Sequence, residues 1–277
     1  MNQPASSPDF QTPPSPQTMR VAMPSVRPYV TYSIMGVTIG FYLLQLLSVQ
    51  LFGYANDAAQ MDWLELYGSK INPLIRAGEV WRLLTPVLLH ASIPHILFNM
   101  YALLVIGVGL ERHFGHGRYL LLYVLGAFTG NVLSFLFSSG YSVGASTAIF
   151  GLIGAEGIFL YQNRQLFGNR FGSAIGNVIF IIVVNLVIDF VPGSGIDYWG
   201  HIGGLLGGLV FAWFAGPRLG LETIYPSSFL QNPGSGMIPT ATLVDKRESR
   251  EVWTGMAVVL LIFGALAMIG MIYPITP

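Results

Sequence analysis

The chain has 277 residues, of which 53% are hydrophobic and 9% are charged, and its thirteen Lys and Arg balance its thirteen Asp and Glu. So few charges cannot cover the surface of a soluble domain, in which about a quarter of the residues are charged. The zero net charge excludes a basic surface for nucleic acid. Without cysteine, disulfides and thiolate metal sites are excluded as well. The composition therefore indicates a membrane protein.

The segments follow in chain order. Residues 1–27 begin with a stretch rich in Pro, Ser and Gln and are predicted to be a disordered tail. A membrane-spanning helix needs about 20 mostly apolar residues, and seven stretches meet or nearly meet this requirement. They are 29–51, 93–111, 118–138, 145–162, 174–191, 199–215 and 252–273.

Two longer connections separate these stretches. Residues 52–92 mix Trp63, Tyr67 and Trp81 with charged side chains, which is typical of a segment at the membrane interface. Residues 217–251 are polar and contain Pro226, Pro233 and Pro239, and they are predicted to be a linker before the seventh span.

The distribution of Lys and Arg predicts the orientation. With seven spans and a cytoplasmic N-terminus, ten of the thirteen cations lie on the cytoplasmic side, as the positive-inside rule requires. Lys70, Arg76 and Arg82 remain outside. The tail and the linker are therefore predicted to be cytoplasmic and the C-terminus to lie outside.

Polar residues inside the spans are costly, so each of them needs a partner or a role. His95 and Asn99 lie in the outer half of the second predicted span, just after His90. Ser146 and His201 lie near the outer ends of the fourth and sixth spans. The topology thus puts all of them at one depth, below the outer face.

These residue types fit nucleophilic catalysis. A serine hydroxyl needs a base to take its proton, and histidine is the usual base. Attack on an amide creates an oxyanion that needs hydrogen-bond donors. His95 and Asn99 are four residues apart and share a helix face, and the Ser146 amide at the start of a helix is a further donor. Glycines repeated every fourth residue around His201, among them Gly204 and Gly208, predict close packing of spans four and six.

These residues also stand in motifs that resemble those of rhomboid intramembrane serine proteases. The nucleophile motif is similar to Gly144-Ala-Ser146-Thr-Ala-Ile-Phe150-Gly, and the base-carrying helix is similar to Trp-Gly-His201-Ile-Gly-Gly204-Leu-Leu-Gly-Gly208. The entrance to the second helix resembles Trp81-Arg82…His90…His95…Asn99, and its end resembles Glu111-Arg112.

The resemblance implies an all-α polytopic membrane protein with a six-helix rhomboid core over 28–216 and a seventh helix at 252–273. It implies Ser146 as the nucleophile and His201 as the base of a dyad. It also implies an oxyanion hole made by His95, Asn99 and the Ser146 amide, and an aromatic ring at Phe150 that supports His201. Span five and the loop after it would form a lateral gate. Neither a metal nor another cofactor is implied.

Several interpretations compete with these roles. His90, His95 and His201 could form a metal site, although no metalloprotease motif accompanies them. Asp189 is expected to cap a loop or a helix end rather than to complete a triad. Thr147 stands where the family commonly has Gly, and it could crowd the oxyanion.

The function also has alternatives. A non-catalytic rhomboid-like protein could bind or escort transmembrane clients, but such proteins usually lack the serine or the histidine. A transporter is disfavoured because the spans show no inverted repeat. As a protease, the chain is expected to act in the lipid bilayer on single-span proteins, in a bacterial plasma membrane.

Overall fold

The computed structural model describes residues 26–191, 195–224 and 240–273, so most of the predicted tail lies outside the described residues. The helices in chain order are α1 (Tyr29–Phe52), α2 (Trp63–Gly68), α3 (Asn72–Arg76), α4 (Ile93–Ala102), α5 (Val108–Phe114), α6 (His116–Phe137), α7 (Ser146–Gln162), α8 (Arg164–Phe167), α9 (Phe171–Asp189), α10 (Tyr198–Ala215) and α11 (Ser249–Ile272). A π-helical turn over Leu103–Gly107 joins α4 to α5. Two strands, β1 (Leu219–Ile224) and β2 (Thr240–Asp245), form a small sheet.

The prediction of an all-α polytopic membrane protein is confirmed. Five helical segments of the described residues are long and apolar enough to cross a bilayer, and they are 29–52, 93–114, 116–137, 164–189 and 249–272. The other two predicted spans are α7, with 17 residues, and α10, with 18 residues. At 1.5 Å per residue, such helices are about 26 Å long, at the short end of what spans a bilayer.

The predicted linker over 217–251 contains more structure than expected. Both strands fall within it, and α11 begins at Ser249 instead of residue 252. The earlier start has a local cause, because Glu248 and Glu251 form a capping box at the first turn of α11. Hydropathy alone assigns such polar turns to the linker.

Helices α6, α7 and α10 form the centre of the described fold. α10 carries two rows of glycine: Gly204 and Gly208 lie against the backbone of α7, and Gly203 and Gly207 lie against Thr129 of α6. The sequence predicts only the first of these contacts. A side chain at any of the four positions would overlap the neighbouring helix, so glycine permits the close approach.

The connection between α1 and α4 is folded as well. It contains α2, α3 and two short 3₁₀ turns, at Val80–Leu83 and Thr85–Leu88. Tyr67 and Trp81 remain exposed on it, and the Trp81 indole donates to the Tyr67 carbonyl oxygen at 3.1 Å. Exposed aromatic rings with polar edges suit a segment at the membrane interface.

Candidate active site

Ser146 is the first residue of α7, and the loop that leads to it is tied down on both sides. The Gly144 amide donates to the Pro86 carbonyl oxygen at 2.9 Å, and the Ala145 amide points to His90 Nε2 at 3.4 Å. Gly144 has a φ of +126°, a backbone conformation that residues with a side chain rarely adopt. No side chain caps α7, so the amides of its first turn remain available to a ligand.

His95 and Ser146 meet at Gly144. A Cβ atom placed on Gly144 would lie 2.7 Å from His95 Nε2 and 3.7 Å from Ser146 Oγ. The ring nitrogen and the hydroxyl therefore border the same small space. Asn99 lies one turn further along α4, is buried, and donates one amide hydrogen to the His95 carbonyl oxygen at 2.9 Å. The second hydrogen of the Asn99 side-chain amide can donate to another acceptor.

His90 contacts both His95 and the loop residue Ala145. Its ring is almost fully buried and meets the His95 ring edge-on, with 5.0 Å between the centroids. Burial, with a smaller contribution from the His95 charge, lowers the pKa of His90 to about 3. The ring is therefore neutral at physiological pH, and its Nε2 can accept from the Ala145 amide.

His201 lies in the first turn of α10 and is fixed from two directions. The Phe150 ring stacks on the imidazole, with 4.2 Å between centroids and 11° between planes. Nδ1 lies 2.6 Å from Asp189 Oδ2. Asp189 is expected from the sequence to cap a loop or a helix end, and its carboxylate in addition contacts the predicted base. This contact is possible because α9 ends at Asp189, within hydrogen-bonding distance of the first turn of α10.

Ser146 and His201, both within the described residues, share no hydrogen bond here, although Phe150 brings α7 against the His201 ring. Hydrogen bonds between a nucleophile and its base are often long until substrate is present. The structure thus brings Ser146 together with His95, and His201 together with Phe150.

Thr147 packs between two helices. Its side chain is buried and points between α6 and α10, where its Cγ2 lies 2.9 Å from a Cβ placed on Gly130 and 3.1 Å from one placed on Gly200. These two glycines make room for the β-branched residue. An effect of Thr147 on the oxyanion stays a prediction.

The remaining motif residues lie in the scaffold. Arg82 is buried and donates to the Ser69 and Leu66 carbonyl oxygens, both at 2.8 Å, at the end of α2. Glu111 accepts from the Val30 and Thr31 amides at 2.8 and 2.7 Å and so holds the start of α1. Arg112 is exposed, and Trp81 lies on the interfacial connection described above.

Sequence reasoning missed Lys70 as a site-building residue. The side chain is fully buried, and Nζ donates to the carbonyl oxygens of Ser138 and Gly140, each at 2.8 Å. Burial lowers the pKa of Lys70 to about 8. These carbonyls follow the end of α6 and begin the loop that carries Ser146. The sequence offered one indication of this role, because Lys70 lies just before α3 in a chain with very few charged residues.

In the part of the chain that the structure describes, no three His, Cys, Asp or Glu side chains are grouped so that they could hold a metal ion. The alternative of a metal site at His90, His95 and His201 therefore has no support in the geometry.

Comparisons with known proteins agree with the resemblance found in the motifs. A family profile described as "Rhomboid domain" matches residues 77–218. The chain is 44% identical over 181 residues to Rhomboid protease GluP of Bacillus subtilis (strain 168), covering 65% of this chain and 34% of that protein. It is 37% identical over 200 residues to RHOMBOID-like protein 1 of Arabidopsis thaliana, covering 71% of this chain and 49% of that protein.

A third relative, Rhomboid-like protease 1 of Toxoplasma gondii, is 39% identical over 144 residues, covering 51% of this chain and 49% of the relative. In all three cases the chain spans half or less of the relative's length. The range matched by the family profile nevertheless contains all the motif positions from Trp81 to Gly208. The chain belongs to the rhomboid family.

Proposed function

We propose that this protein is an intramembrane serine endopeptidase that hydrolyses peptide bonds in or near transmembrane helices. The observation that carries the proposal is the convergence of His95 Nε2 and Ser146 Oγ on the Gly144 position at the uncapped start of α7. A nucleophile, a donor and a set of free amides border one space there. The matches to GluP and to other rhomboid proteases support the same reaction.

The reaction follows from the chemistry of these groups. His201 Nε2 takes the hydroxyl proton as Ser146 Oγ attacks the carbonyl carbon of the substrate. The oxyanion that forms accepts hydrogen bonds from His95, Asn99 and the Ser146 amide, and the positive end of the α7 dipole favours its charge. The protonated His201 then gives its proton to the leaving amine, and an acyl-enzyme remains on Ser146. Water, deprotonated by His201, hydrolyses the acyl-enzyme and restores the serine.

We place the site toward the outer side of a bacterial plasma membrane, with the N-terminus in the cytoplasm. The support is the distribution of Lys and Arg, ten of the thirteen lying in segments assigned to the cytoplasm. In this arrangement residues 28–216 form the proteolytic core, 1–27 and 217–251 are cytoplasmic, and 252–273 add the seventh span.

The substrate is a single-span helix that unwinds near the outer face. A helical carbonyl is hydrogen-bonded and crowded, so the peptide must leave the helix before Ser146 can attack it. Gly and Pro reduce the cost of unwinding by about 1 and 3 kcal/mol relative to Ala. We therefore expect cleavage beside a small residue, with helix breakers a few positions downstream, and slower cleavage when Leu replaces the breakers.

The test compares purified wild-type protein with Ser146→Ala and His201→Ala on a single-span substrate in detergent. Both variants should be inactive, and EDTA should leave the wild type active. Ser139→Ala, at an exposed serine of the loop before α7, is the matched control and should cleave normally. Cleavage by Ser146→Ala at the wild-type rate would overturn the proposal.

A second candidate is a non-catalytic protein that binds transmembrane clients, since several relatives carry the name "RHOMBOID-like" rather than protease. The same experiment separates the two. A catalytically silent wild type that still co-purifies with the single-span protein, unaffected by Ser146→Ala, would favour client binding.

The oxyanion hole has its own test. Loss of one donor typically lowers kcat by about 10²–10³-fold. His95→Ala and Asn99→Ala should show this loss while the protein stays folded, which melting of the same sample checks. Near-normal turnover by either variant would remove that residue from the oxyanion hole.

A further inference from the structure

The Asp189–His201 contact joins two helices that otherwise pack little on each other. α9 lies mainly against α7, and α10 lies against α6 and α7. Asp189 is the last residue of α9 and His201 is in the first turn of α10. Both side chains are at least nine-tenths buried, and the nitrogen and oxygen are 2.6 Å apart. A buried carboxylate against a buried imidazole is costly unless the pair is hydrogen-bonded.

The contact determines which ring nitrogen of His201 carries the proton. An ionised carboxylate only accepts hydrogen bonds, so Nδ1 is the donor. The lone pair of the neutral ring is then on Nε2. Phe150 stacks on one face of the ring and restricts its rotation, which leaves Nε2 directed away from Asp189.

We propose that Asp189 is the positioning residue of His201, and that this chain uses a Ser146–His201–Asp189 triad where its family resemblance implies a dyad. The inference rests on the proposed protease function. Asp189 keeps the neutral imidazole in the tautomer that can accept the Ser146 proton, and it stabilises the imidazolium that forms during attack. It touches neither substrate nor Ser146, and it acts through His201.

Substitution by asparagine tests the role of the carboxylate at nearly constant volume. The Asn amide can donate to Nδ1, which moves the ring proton to Nε2 and blocks the base. In soluble serine proteases the corresponding change lowers kcat by about 10⁴-fold through this wrong tautomer. We expect Asp189→Asn to lower kcat by about 10²-fold or more, with little change in KM.

Asp189→Ala separates positioning from packing. Alanine leaves a cavity but imposes no wrong tautomer, so a positioning role predicts that the Ala variant cleaves at least as fast as the Asn variant. A merely structural role predicts the opposite order of cleavage rates, with Asp189→Ala slower than Asp189→Asn and also lower in melting temperature. Asp57→Asn is the matched control, because Asp57 is exposed on the connection between α1 and α2 and has no role in the site. It should stay within about threefold of wild type.

A spectroscopic measurement needs no turnover and therefore distinguishes this inference from the proposed function. In ¹⁵N-histidine-labelled protein in detergent, with His201 assigned through His201→Gln, the wild-type ring should carry its proton on Nδ1. In Asp189→Asn the proton should move to Nε2. A wild-type ring protonated on Nε2, a tautomer unchanged by Asp189→Asn, or full cleavage by Asp189→Asn would each overturn the proposal. An inactive wild type with the expected tautomer would refute the protease and leave the Asp189–His201 pairing intact.

Discussion

Gly204→Ala should push α10 away from α7 near Ser146 and His201. A Cβ on Gly204 would overlap the Thr147 carbonyl oxygen and lie 2.9 Å from its carbonyl carbon and 3.3 Å from its Cα. This obstacle is helix backbone, which cannot rotate away as a flexible side chain can. The carbonyl oxygen is the closest obstacle, and non-bonded heavy atoms prefer about 3.5–4.0 Å, so the helices must separate by roughly 1–2 Å.

The separation has a cost in stability and a cost in turnover. Overpacking of this kind destabilises by about 1–3 kcal/mol, and each kcal/mol lowers the melting temperature by about 2–4 °C in a domain of 150–250 residues. Thr147 directly follows Ser146, and Gly204 is three residues after His201, so the same displacement acts on the proposed nucleophile and the proposed base. A shift of about 1 Å in such a pair can lower the rate by about 10²-fold.

The assay is melting and cleavage measured on one detergent sample, with Gly264→Ala as the control. Gly264 lies in α11 and has nothing within 4 Å of its Cβ position, so alanine there should leave turnover unchanged and raise the melting temperature slightly, if at all. A wild-type melting temperature for Gly204→Ala would refute the close helix contact. A lowered melting temperature with full turnover would show that this contact does not set the distance between Ser146 and His201.

Three further predictions concern charged residues between α1 and α4. Burial and the nearby Asp62 raise the pKa of Glu65 from 4.5 to about 7, so the stability of the wild type should fall as pH rises through about 7. Glu65→Gln should remove this fall. Melting temperatures of the wild type and the variant that change in parallel between pH 5 and 8 would refute the prediction. In Arg82→Lys, the single ammonium group cannot reach both carbonyl partners of the arginine. The loss of one charged hydrogen bond should destabilise the protein by about 1.5–3 kcal/mol, and an unchanged melting temperature would contradict this prediction. Lys70→Met removes the ammonium donor of the Gly140 carbonyl oxygen, whereas the Ser138 carbonyl oxygen keeps the Asn72 amide at 2.9 Å. The substitution should therefore destabilise by about 1–3 kcal/mol; melting at the wild-type temperature would show that water replaces the ammonium group.

The sequence predicted the long helices closely because their signal is local. An apolar run of fixed length determines α1 and α6, and their observed ends lie within two residues of the predicted spans. The strands in 217–251 were missed because hydropathy across a polar, proline-rich segment does not register short alternation. The π-helical turn between α4 and α5 also has no apolar signature, since the whole run from Leu103 to Gly107 is hydrophobic.

The site was less predictable where it depends on pairs from distant segments. Topology placed Ser146 and His201 at one depth, but the partner of His201 Nδ1 depends on where α9 stops and α10 starts. Hydropathy extended span five to residue 191, whereas α9 ends at Asp189. In the same way, glycine spacing predicted that α10 packs tightly, but not that its second glycine row faces α6. Such contacts depend on the rotation of each helix about its axis.

Several of the few charged side chains in this chain are bound to backbone groups at helix ends. Lys70 donates to carbonyls just beyond the end of α6, while Glu111 accepts amides at the start of α1 and Asp197 accepts one at the start of α10. Each charge has the sign that the helix dipole favours at its end. A charge bound to backbone groups fixes the position of a helix end, which a flexible counter-ion would not do. Because Ser146 and His201 both lie in first turns, the positions of helix ends also determine the positions of the proposed catalytic groups.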